Sequence, residues 1–387
     1  MALSTARIVR ILIVDDSAVM RSLLRSVVVS DQRLEVVGTA SDGVSALRAM
    51  DSLQPDLILL DVEMPVMDGL STLKQMKARG QRVPVIMCSS LTQRGAKVTI
   101  EALASGAADY VAKPSGQISR ESAVQILAHD LVPKILALTA SHSTLPEVDL
   151  VSPAIFPAGH DAQVFNRQGL LPPLAQTQIP VGATPAVLLI GVSTGGPAAL
   201  DVLLPALPAS FPLPVLVVQH MPELFTRLLA ERLDDRCPLR VIEAVADQPI
   251  RPGTIHIAKG NWHMEVASAP TTGPVLRLTQ RAPENHCRPA VDVLFRNAVA
   301  VYGSRVLGVM LTGMGYDGLA GCRIIREHNG IVLAQDQPTS AVWGMPGAVA
   351  QAGLAHRILP LNAIAPEILR LAGRGQREAI ELREAAV

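Results

Sequence analysis

The sequence predicts an α/β protein in which a proline-rich linker joins two domains, each built on a mostly parallel sheet. In residues 1–140, and again in residues 186–373, short aliphatic runs alternate with stretches of helical periodicity. Strands and helices that alternate in this way form parallel sheets with helices on both faces. Between these regions, residues 141–185 have no periodicity and contain seven prolines, which favour extended chain over helix. Residues 374–387 form a charged C-terminal tail.

The composition argues against several functional classes. At 387 residues the chain can bury more than one core. Lys plus Arg and Asp plus Glu are equal at 34 each and only 3% of residues are aromatic, so no nucleic-acid surface is expected. No apolar run approaches about 18 residues, which predicts no direct membrane insertion. The scattered cysteines indicate a reducing compartment, and hence the cytoplasm, rather than disulfides or a zinc site: Cys88, Cys237, Cys287 and Cys322.

Five aliphatic runs in the first domain predict five strands, each followed by a helical pattern, at residues 10–14, 34–38, 57–60, 83–87 and 109–112. The last helix is expected at 123–138 and contains Pro133, so a kink or a restart is expected there. Ligands of such sheets bind beyond the carboxyl ends of the strands, which makes the polar residues at those ends the functional candidates. These residues are Asp15, Asp16, Asp61, Ser89 and Lys113.

The three carboxylates of this set, Asp15, Asp16 and Asp61, would repel one another unless a hard cation such as Mg²⁺ took their oxygens. Lys113 would then balance a phosphoryl group on one carboxylate, and Ser89 would donate a hydrogen bond to it. Taken singly, each residue has a structural explanation, because an Asp after a strand often caps a helix and a Lys before proline is often solvated. Together they favour phosphoryl transfer to an aspartate.

This first domain resembles the receiver domains of two-component response regulators. The likeness rests on VDDS at 14–17, DVEMPVMDG at 61–69, SSLT at 89–92 and YVAKP at 110–114. It implies a flavodoxin-like fold with a five-stranded parallel sheet, and it makes Asp61 the phosphoacceptor. It also implies that the three carboxylates hold Mg²⁺ and that Ser89 and Lys113 sense the phosphate. Tyr110 is then either a switch aromatic or an ordinary core residue.

In the second domain, a strand-like run at 187–190 meets a glycine-rich turn that carries Ser193 and leads into a helix from Ala198. A serine on such a turn is exposed at the edge of the sheet beside free helix amides, which suits a nucleophile or an anion site. On the local pattern alone, a helix cap by Ser193 or Thr194 is the simpler interpretation.

Further strand and helix patterns predict a second, largely parallel sheet. We expect strands at 215–218, 305–310 and 331–333, hairpin character at 254–266, and helices from Glu223 and at 291–301, 319–327 and 363–371. His220 and Asp317 follow two of these strands, so the carboxyl edge of the sheet would hold a nucleophile, a base and an acid as in a Ser-His-Asp relay. The loop 312–318 has three glycines, and its Met314 amide could donate to an oxyanion.

Three other enzyme classes fit this turn less well. A dinucleotide site needs a second glycine where Ser193 stands, and an acid at the end of the next strand, which instead ends in Gln219 and His220. A P-loop needs a GK[ST] motif that does not follow. An α/β-hydrolase matches GxSxG but orders its relay Ser, Asp, His, which would require Asp317 or Asp336 to pair with His356.

The second domain resembles the chemotaxis protein-glutamate methylesterases. The likeness rests on GVSTGGP at 191–197, VVQHMP at 217–222, HCRPAVDVLF at 286–295, LTGMGYDG at 311–318 and AQDQPTSAVWGMP at 334–346. It makes Ser193 the nucleophile, His220 the base, Asp317 the orienting acid and the Met314 amide the oxyanion donor. Lys259 and Trp262 depart from the pattern of the family. Other residues in the matched segments are possible cleft residues: His263, His286, Cys287 and Arg288.

Together the two likenesses imply a phosphorylation-activated esterase and deamidase whose substrates are methylated chemoreceptors and whose phosphodonor is a histidine kinase. Mg²⁺ would serve the receiver, and ester hydrolysis would need no cofactor. The alternative is a non-catalytic response regulator whose second domain is a docking module controlled by phosphorylation.

Overall fold

The computed structural model describes residues 7–90, 92–114, 119–140, 178–180 and 182–384, with side chains as far as residue 373. Most of the linker predicted at 141–185 lies outside these ranges, as do the side chains of the tail predicted at 374–387.

The first domain is a five-stranded parallel sheet in the order β2-β1-β3-β4-β5, as predicted. Its strands are β1 (Val9–Val14), β2 (Leu34–Ala40), β3 (Leu57–Asp61), β4 (Val85–Ser89) and β5 (Asp109–Ala112). Its helices are α1 (Ala18–Val29), α2 (Gly43–Leu53), α3 (Gly69–Ala78), α4 (Gln93–Ala104) and α5 (Arg120–Ala140). Side chains that cap the first turns fix where four of these helices begin: Ser17, Asp42, Asp68 and Thr92.

Helix α5 is one continuous helix and does not restart at Pro133. By length and mean hydropathy alone it could cross a membrane, although Asp130 and Lys134 interrupt its apolar residues. Its apolar stripe, however, is buried within the domain, where α5 packs on α1. The stripe consists of Leu127, Leu131, Ile135 and Leu138, and its helical spacing is that of a core helix.

The second domain has a seven-stranded parallel sheet in the order β14-β13-β12-β6-β7-β9-β8, and a separate antiparallel hairpin, β10-β11. The strands are β6 (Val187–Val192), β7 (Val215–Gln219), β8 (Arg240–Glu243), β9 (Thr254–Ile257), β10 (His263–Ala269), β11 (Gly273–Thr279), β12 (Val306–Met310), β13 (Ile331–Gln335) and β14 (Arg357–Leu359). The helices are α6 (Gly196–Leu203), α7 (Glu223–Asp234), α8 (Val291–Tyr302), α9 (Leu319–Glu327), α10 (Met345–Gln351) and α11 (Leu361–Glu384).

The hairpin lies later in the chain than predicted. Strand β9 belongs to the parallel sheet, where it pairs with β7 and β8, and the hairpin spans residues 263–279 instead of 254–266. Only a short loop separates β9 from β10, as in a hairpin, and this spacing misled the prediction. The strands that pair with β9 are β7 and β8, which precede it in the sequence. The sequence analysis also missed β8, β14 and α10.

The two domains pack directly against each other, and one apolar core extends from one face of the first sheet into the second domain. Helix α4 packs against α6 and α7. At the centre of the contact, the ring of Tyr110 in β5 stacks on Phe225 in α7, with centroids 4.5 Å apart. Tyr110 is therefore a buried aromatic residue at the domain interface.

Candidate active site and phosphoacceptor pocket

The predicted nucleophile and base follow two neighbouring strands at the same level. Val192 pairs with Gln219 in the β6–β7 register, so Ser193 and His220 are the first residues beyond the two strands. The His220 amide donates to the Val192 carbonyl (3.2 Å), and the Ser193 amide donates to that of Thr312 (3.0 Å). The turn is therefore held from both adjacent strands.

The helix-cap interpretation of this turn is wrong. The N-cap of α6 is Gly195, which makes no side-chain cap hydrogen bond. Its φ of 77° is in the left-handed region, and a Cβ there would lie 2.5 Å from the Cβ of Ala341. The Thr194 hydroxyl instead donates to the first domain, at Asp109 Oδ2 (2.6 Å). Neither hydroxyl caps the helix, so the turn leaves Ser193 available for another role.

His220 and Asp317 form the hydrogen bond that the relay prediction requires. His220 Nε2 lies 2.8 Å from Asp317 Oδ2, and both groups are largely buried. Burial lowers the pKa of the imidazole, but the hydrogen bonds and charges of Asp317 and Cys287 outweigh it and raise that pKa to about 9. Burial raises the pKa of the Asp317 carboxyl, but its hydrogen bonds and the charge of His220 outweigh burial, so the net effect is a lowered pKa.

The Asp317 carboxylate is held at the N-terminus of α8. Its oxygens accept from the amides of Val291 (2.6 Å) and Asp292 (3.1 Å). Asn285 Nδ2 donates both to Asp317 Oδ1 (2.9 Å) and to Asp292 Oδ2 (2.8 Å), and thus joins two buried acids. Burial raises the pKa of the Asp292 carboxyl to about 6. The sequence analysis missed Asn285 and Asp292, although both lie in or beside the HCRPAVDVLF segment.

Ser193 shares one cavity of about 880 Å³ with His220 and Asp317. Within the described residues its hydroxyl makes no hydrogen bond, and the second ring nitrogen of His220, Nδ1, faces Cys287 Sγ at 3.7 Å. The structure thus joins the predicted base and acid and places the serine in the same cavity, without a serine–histidine hydrogen bond among the described residues. A long or unformed catalytic contact is common in a protein without substrate.

Met314 also lines this cavity, and its amide makes no hydrogen bond within the described part of the chain. The first domain forms part of the cavity wall, with Tyr110 and Lys134 among the lining residues. The predicted oxyanion donor therefore lies in the same cavity as the predicted relay, and that cavity spans the domain interface.

The possible cleft residues divide into two groups. His286, Cys287 and Arg288 line the cavity. The ring of His263 is buried elsewhere and is satisfied by backbone, since it contacts the Ala282 carbonyl (3.1 Å) and accepts from the Ala290 amide (3.3 Å). The two residues that depart from the family pattern do not line the cavity: Lys259 pairs with Glu223 (2.8 Å) and lies over the ring of Trp262.

The five polar residues of the first domain also converge. Lys113 Nζ lies 2.6 Å from Asp61 Oδ1 and 2.8 Å from Asp15 Oδ2. Carboxylate oxygens of Asp15, Asp16 and Asp61 lie within 4.8 Å of one another, and such hard oxygens suit Mg²⁺. Burial raises the pKa of Asp61, and Lys113 opposes this shift. Ser89 is buried at the same strand edge, and its oxygen accepts from Thr99 Oγ1 (2.7 Å).

A parallel α/β domain with a serine, a histidine and an acid at its strand ends, packed on a domain with an acidic phosphoacceptor pocket, defines a receiver-linked serine hydrolase. Comparisons with known proteins agree with this class. The family model for the response regulator receiver domain matches residues 11–125, and that for the CheB methylesterase matches residues 188–368. This chain belongs to the protein-glutamate methylesterase/protein-glutamine glutaminase family.

Two relatives with that name show the extent of the match. The Nocardioides protein is 48% identical over 371 residues, which cover 95% of this chain and 96% of the relative. The Trichodesmium erythraeum protein is 46% identical, with 94% of this chain and 99% of the relative covered. The solved CheB methylesterase catalytic domain of Thermotoga maritima is 39% identical over 49% of this chain and 99% of its own length, with a TM-score of 0.47.

Proposed function

We propose that the chain hydrolyses glutamate methyl esters and deamidates glutamines on chemoreceptors through a Ser193-His220-Asp317 relay. The observation that carries this proposal is the 2.8 Å contact between His220 and the Asp317 carboxylate, which the N-terminus of α8 holds in place. His220 is the first residue after β7, the strand that pairs with the strand before Ser193. The names of the relatives state the two reactions for those proteins. We assign residues 1–140 to the receiver, 141–185 to a linker, 186–373 to the catalytic domain and 374–387 to a tail.

In the first step, the Ser193 hydroxyl gives its proton to His220 Nδ1 and its oxygen attacks the side-chain carbonyl carbon. This requires a movement that brings the hydroxyl within hydrogen-bond distance of the ring. Asp317 holds Nε2–H and stabilises the imidazolium that forms. Because the pKa of His220 is raised to about 9, the ring accepts the Ser193 proton only after it has lost its own, so the neutral ring carries the reaction. The Met314 amide would donate to the oxygen that becomes negative.

Collapse of the tetrahedral intermediate releases methanol, which leaves with the proton from His220, and an acyl-serine remains. With glutamine the leaving group is ammonia. Water, deprotonated by His220, then attacks the acyl carbon, and the departing Ser193 oxygen takes the proton back. The products are a glutamate carboxylate and the free serine, and no cofactor takes part in this sequence.

The receiver would control access to the cavity. Phosphorylation of Asp61 by a histidine kinase would place a phosphoryl group between Lys113 and Ser89. Asp15, Asp16 and Asp61 would hold Mg²⁺, which would balance the charge of the incoming phosphate. The receiver lies at the cavity wall in the structure, so we infer that the unphosphorylated arrangement restricts a protein substrate. Phosphorylation shifts the equilibrium between this closed arrangement of the domains and an open one only as far as it stabilises the open arrangement more than the closed one. The four free thiols agree with a cytoplasmic location.

Methanol release from methylated chemoreceptor, with and without a small-molecule phosphodonor, tests both chemistry and control. Ser193→Ala should lower the rate by at least about 10⁴-fold. Ser304→Ala changes an exposed serine of the same domain and should leave the rate of methanol release unchanged. Asp61→Asn should abolish stimulation by the phosphodonor, and the exposed Asp51→Asn should not. Methanol release that survives Ser193→Ala would remove the Ser193 relay. No methanol release from the unaltered protein, with or without phosphodonor, would favour the alternative, a non-catalytic regulator with a docking domain.

A further inference from the structure

One wall of the catalytic cavity brings together three side-chain atoms that could bind a metal ion. The proposed hydrolysis does not use these three atoms together. A ring nitrogen of His220, Cys287 Sγ and an Asp317 carboxylate oxygen lie within 4.8 Å of one another. The thiol faces His220 at 3.7 Å, and neither attack by Ser193 nor release of methanol uses it. Nitrogen, sulfur and oxygen in this combination are the ligand types that Zn²⁺ prefers.

The geometry is close to that of a zinc site. Ligand atoms at about 2.0 to 2.3 Å from a tetrahedral Zn²⁺ lie roughly 3.3 to 3.8 Å apart, so the three atoms need to move by little more than 1 Å. Asp317 is already deprotonated and held by Asn285 and by the α8 amides, which act as outer-shell partners of a ligand. The cavity leaves the fourth position to water.

We propose that His220, Cys287 and Asp317 form an inhibitory Zn²⁺ site in the catalytic cavity. Binding forms one Zn–N, one Zn–S and one Zn–O bond and replaces the hydrogen bond between His220 Nε2 and Asp317. It breaks the S–H bond of Cys287 and the Nε2–H bond of the charged His220 ring, and both protons go to bulk water. The bound ion takes away the imidazole lone pair that must accept the Ser193 proton, so it stops the first step of hydrolysis. Zn²⁺ binding is independent of the proposed function, whereas inhibition rests on it. Mg²⁺, a hard cation, does not compete for the thiolate.

Co²⁺ is a spectroscopic probe for this site, because thiolate coordination produces a charge-transfer absorption that oxygen ligands do not. Full-length protein freed of metal by EDTA should bind one equivalent of Co²⁺ with this absorption, and Zn²⁺ should displace it. Ser193→Ala and Asp61→Asn should keep the absorption, because neither changes a ligand. Cys237→Ser, a change in a half-buried cysteine outside the cavity, is the matched control and should also keep it. Cys287→Ser and His220→Ala should abolish it.

Inhibition is measured separately as the Zn²⁺ concentration that halves ester hydrolysis, with recovery on addition of EDTA. Loss of a metal ligand should weaken binding at least as much as loss of an outer-shell partner, so Cys287→Ser should raise this concentration at least about 10-fold. Cys287→Ala is the second variant, and thermal melting confirms that both fold. An unchanged absorption or an unchanged inhibitory concentration in both variants overturns the proposal. Failure of the serine relay would leave the Co²⁺ absorption intact, so the two proposals fail separately.

Discussion

Thr194 Oγ1 donates a 2.6 Å hydrogen bond to Asp109 Oδ2, which joins the residue after the predicted nucleophile to the first residue of β5 in the receiver. Next to it, the Gly195 amide donates to the Ala108 carbonyl (3.1 Å). The receiver therefore bonds to the turn that carries Ser193 and also lines the cavity.

Asp109→Ala should raise the esterase activity of unphosphorylated full-length protein about 10-fold or more. A buried hydrogen bond to a charged group contributes about 1.5–3 kcal/mol, and its loss favours separation of the domains. Methanol release without phosphodonor measures the effect. Glu35→Ala is the matched control, because Glu35 is an exposed acid in β2, the strand at the opposite edge of the sheet. Equal activities of the two variants would show that this bond does not restrain the enzyme.

Asn285→Ala should lower kcat about 10- to 100-fold and leave KM nearly unchanged. The side chain donates to Asp317 and Asp292, so its loss leaves two buried acids side by side and frees the Asp317 carboxylate to rotate. Asn297→Ala is the control, since Asn297 Nδ2 bonds only to the Val293 carbonyl within α8. A variant that raises KM alone would indicate that Asn285 acts on substrate binding instead of on the relay.

Met314→Pro should lower kcat about 10²- to 10³-fold, because proline removes the N–H that would donate to the oxyanion. Met314→Ala retains the amide and should keep most of the activity. Circular dichroism and thermal melting establish that the proline variant is folded. If Met314→Ala is as slow as Met314→Pro, the side chain matters and the amide is not the donor.

His256→Leu should make the protein more resistant to acid. His256 is fully buried in β9, both of its ring nitrogens lack partners within the described residues, and burial lowers its pKa to about 4. The ring is neutral in the folded chain and takes up a proton on unfolding, so stability falls as pH decreases from about 6.5 towards 4. At pH 5 this costs about 2 kcal/mol.

The melting temperature at pH 7.5 and at pH 5 measures this effect. The decrease between the two should be smaller in His256→Leu than in wild type. His328→Gln, which changes an exposed histidine, should show the wild-type decrease. An equal decrease in all three proteins would contradict a neutral, unpartnered His256.

Most strands that the sequence predicted have almost all of their residues buried, and the half-exposed edge strand β2 is an exception. Strands β3 and β7 lie inside their sheets, and each gives a five-residue run that is buried throughout. The strands β8 and β14 that were missed are the two edges of the second sheet, where half-exposed residues shorten the aliphatic run. In β8 and β14, burial, which is the source of the aliphatic pattern, is incomplete.

Residues of the site could be predicted where a local sequence pattern marks their position. Ser193, His220 and Asp317 could be located because each comes just after a recognisable strand. Asn285 and Asp109 could not be assigned roles, because their partners lie far away in the chain, 85 residues in the case of Asp109 and Thr194. Local periodicity contains no information about such pairs.

Strand β5 sets the distance between the two chemistries of this molecule. Asp109, at its beginning, contacts the turn that carries Ser193, and Lys113, just after its end, contacts Asp61, the proposed phosphoacceptor. Four residues of extended chain span about 13 Å, whatever the length of the segment that joins the domains. Strand β5 is also an edge strand of its sheet, where it pairs with β4. One short strand therefore serves as a spacer of fixed length between phosphate and serine, and lengthening it by one residue would turn one of its two ends to the wrong face of the sheet.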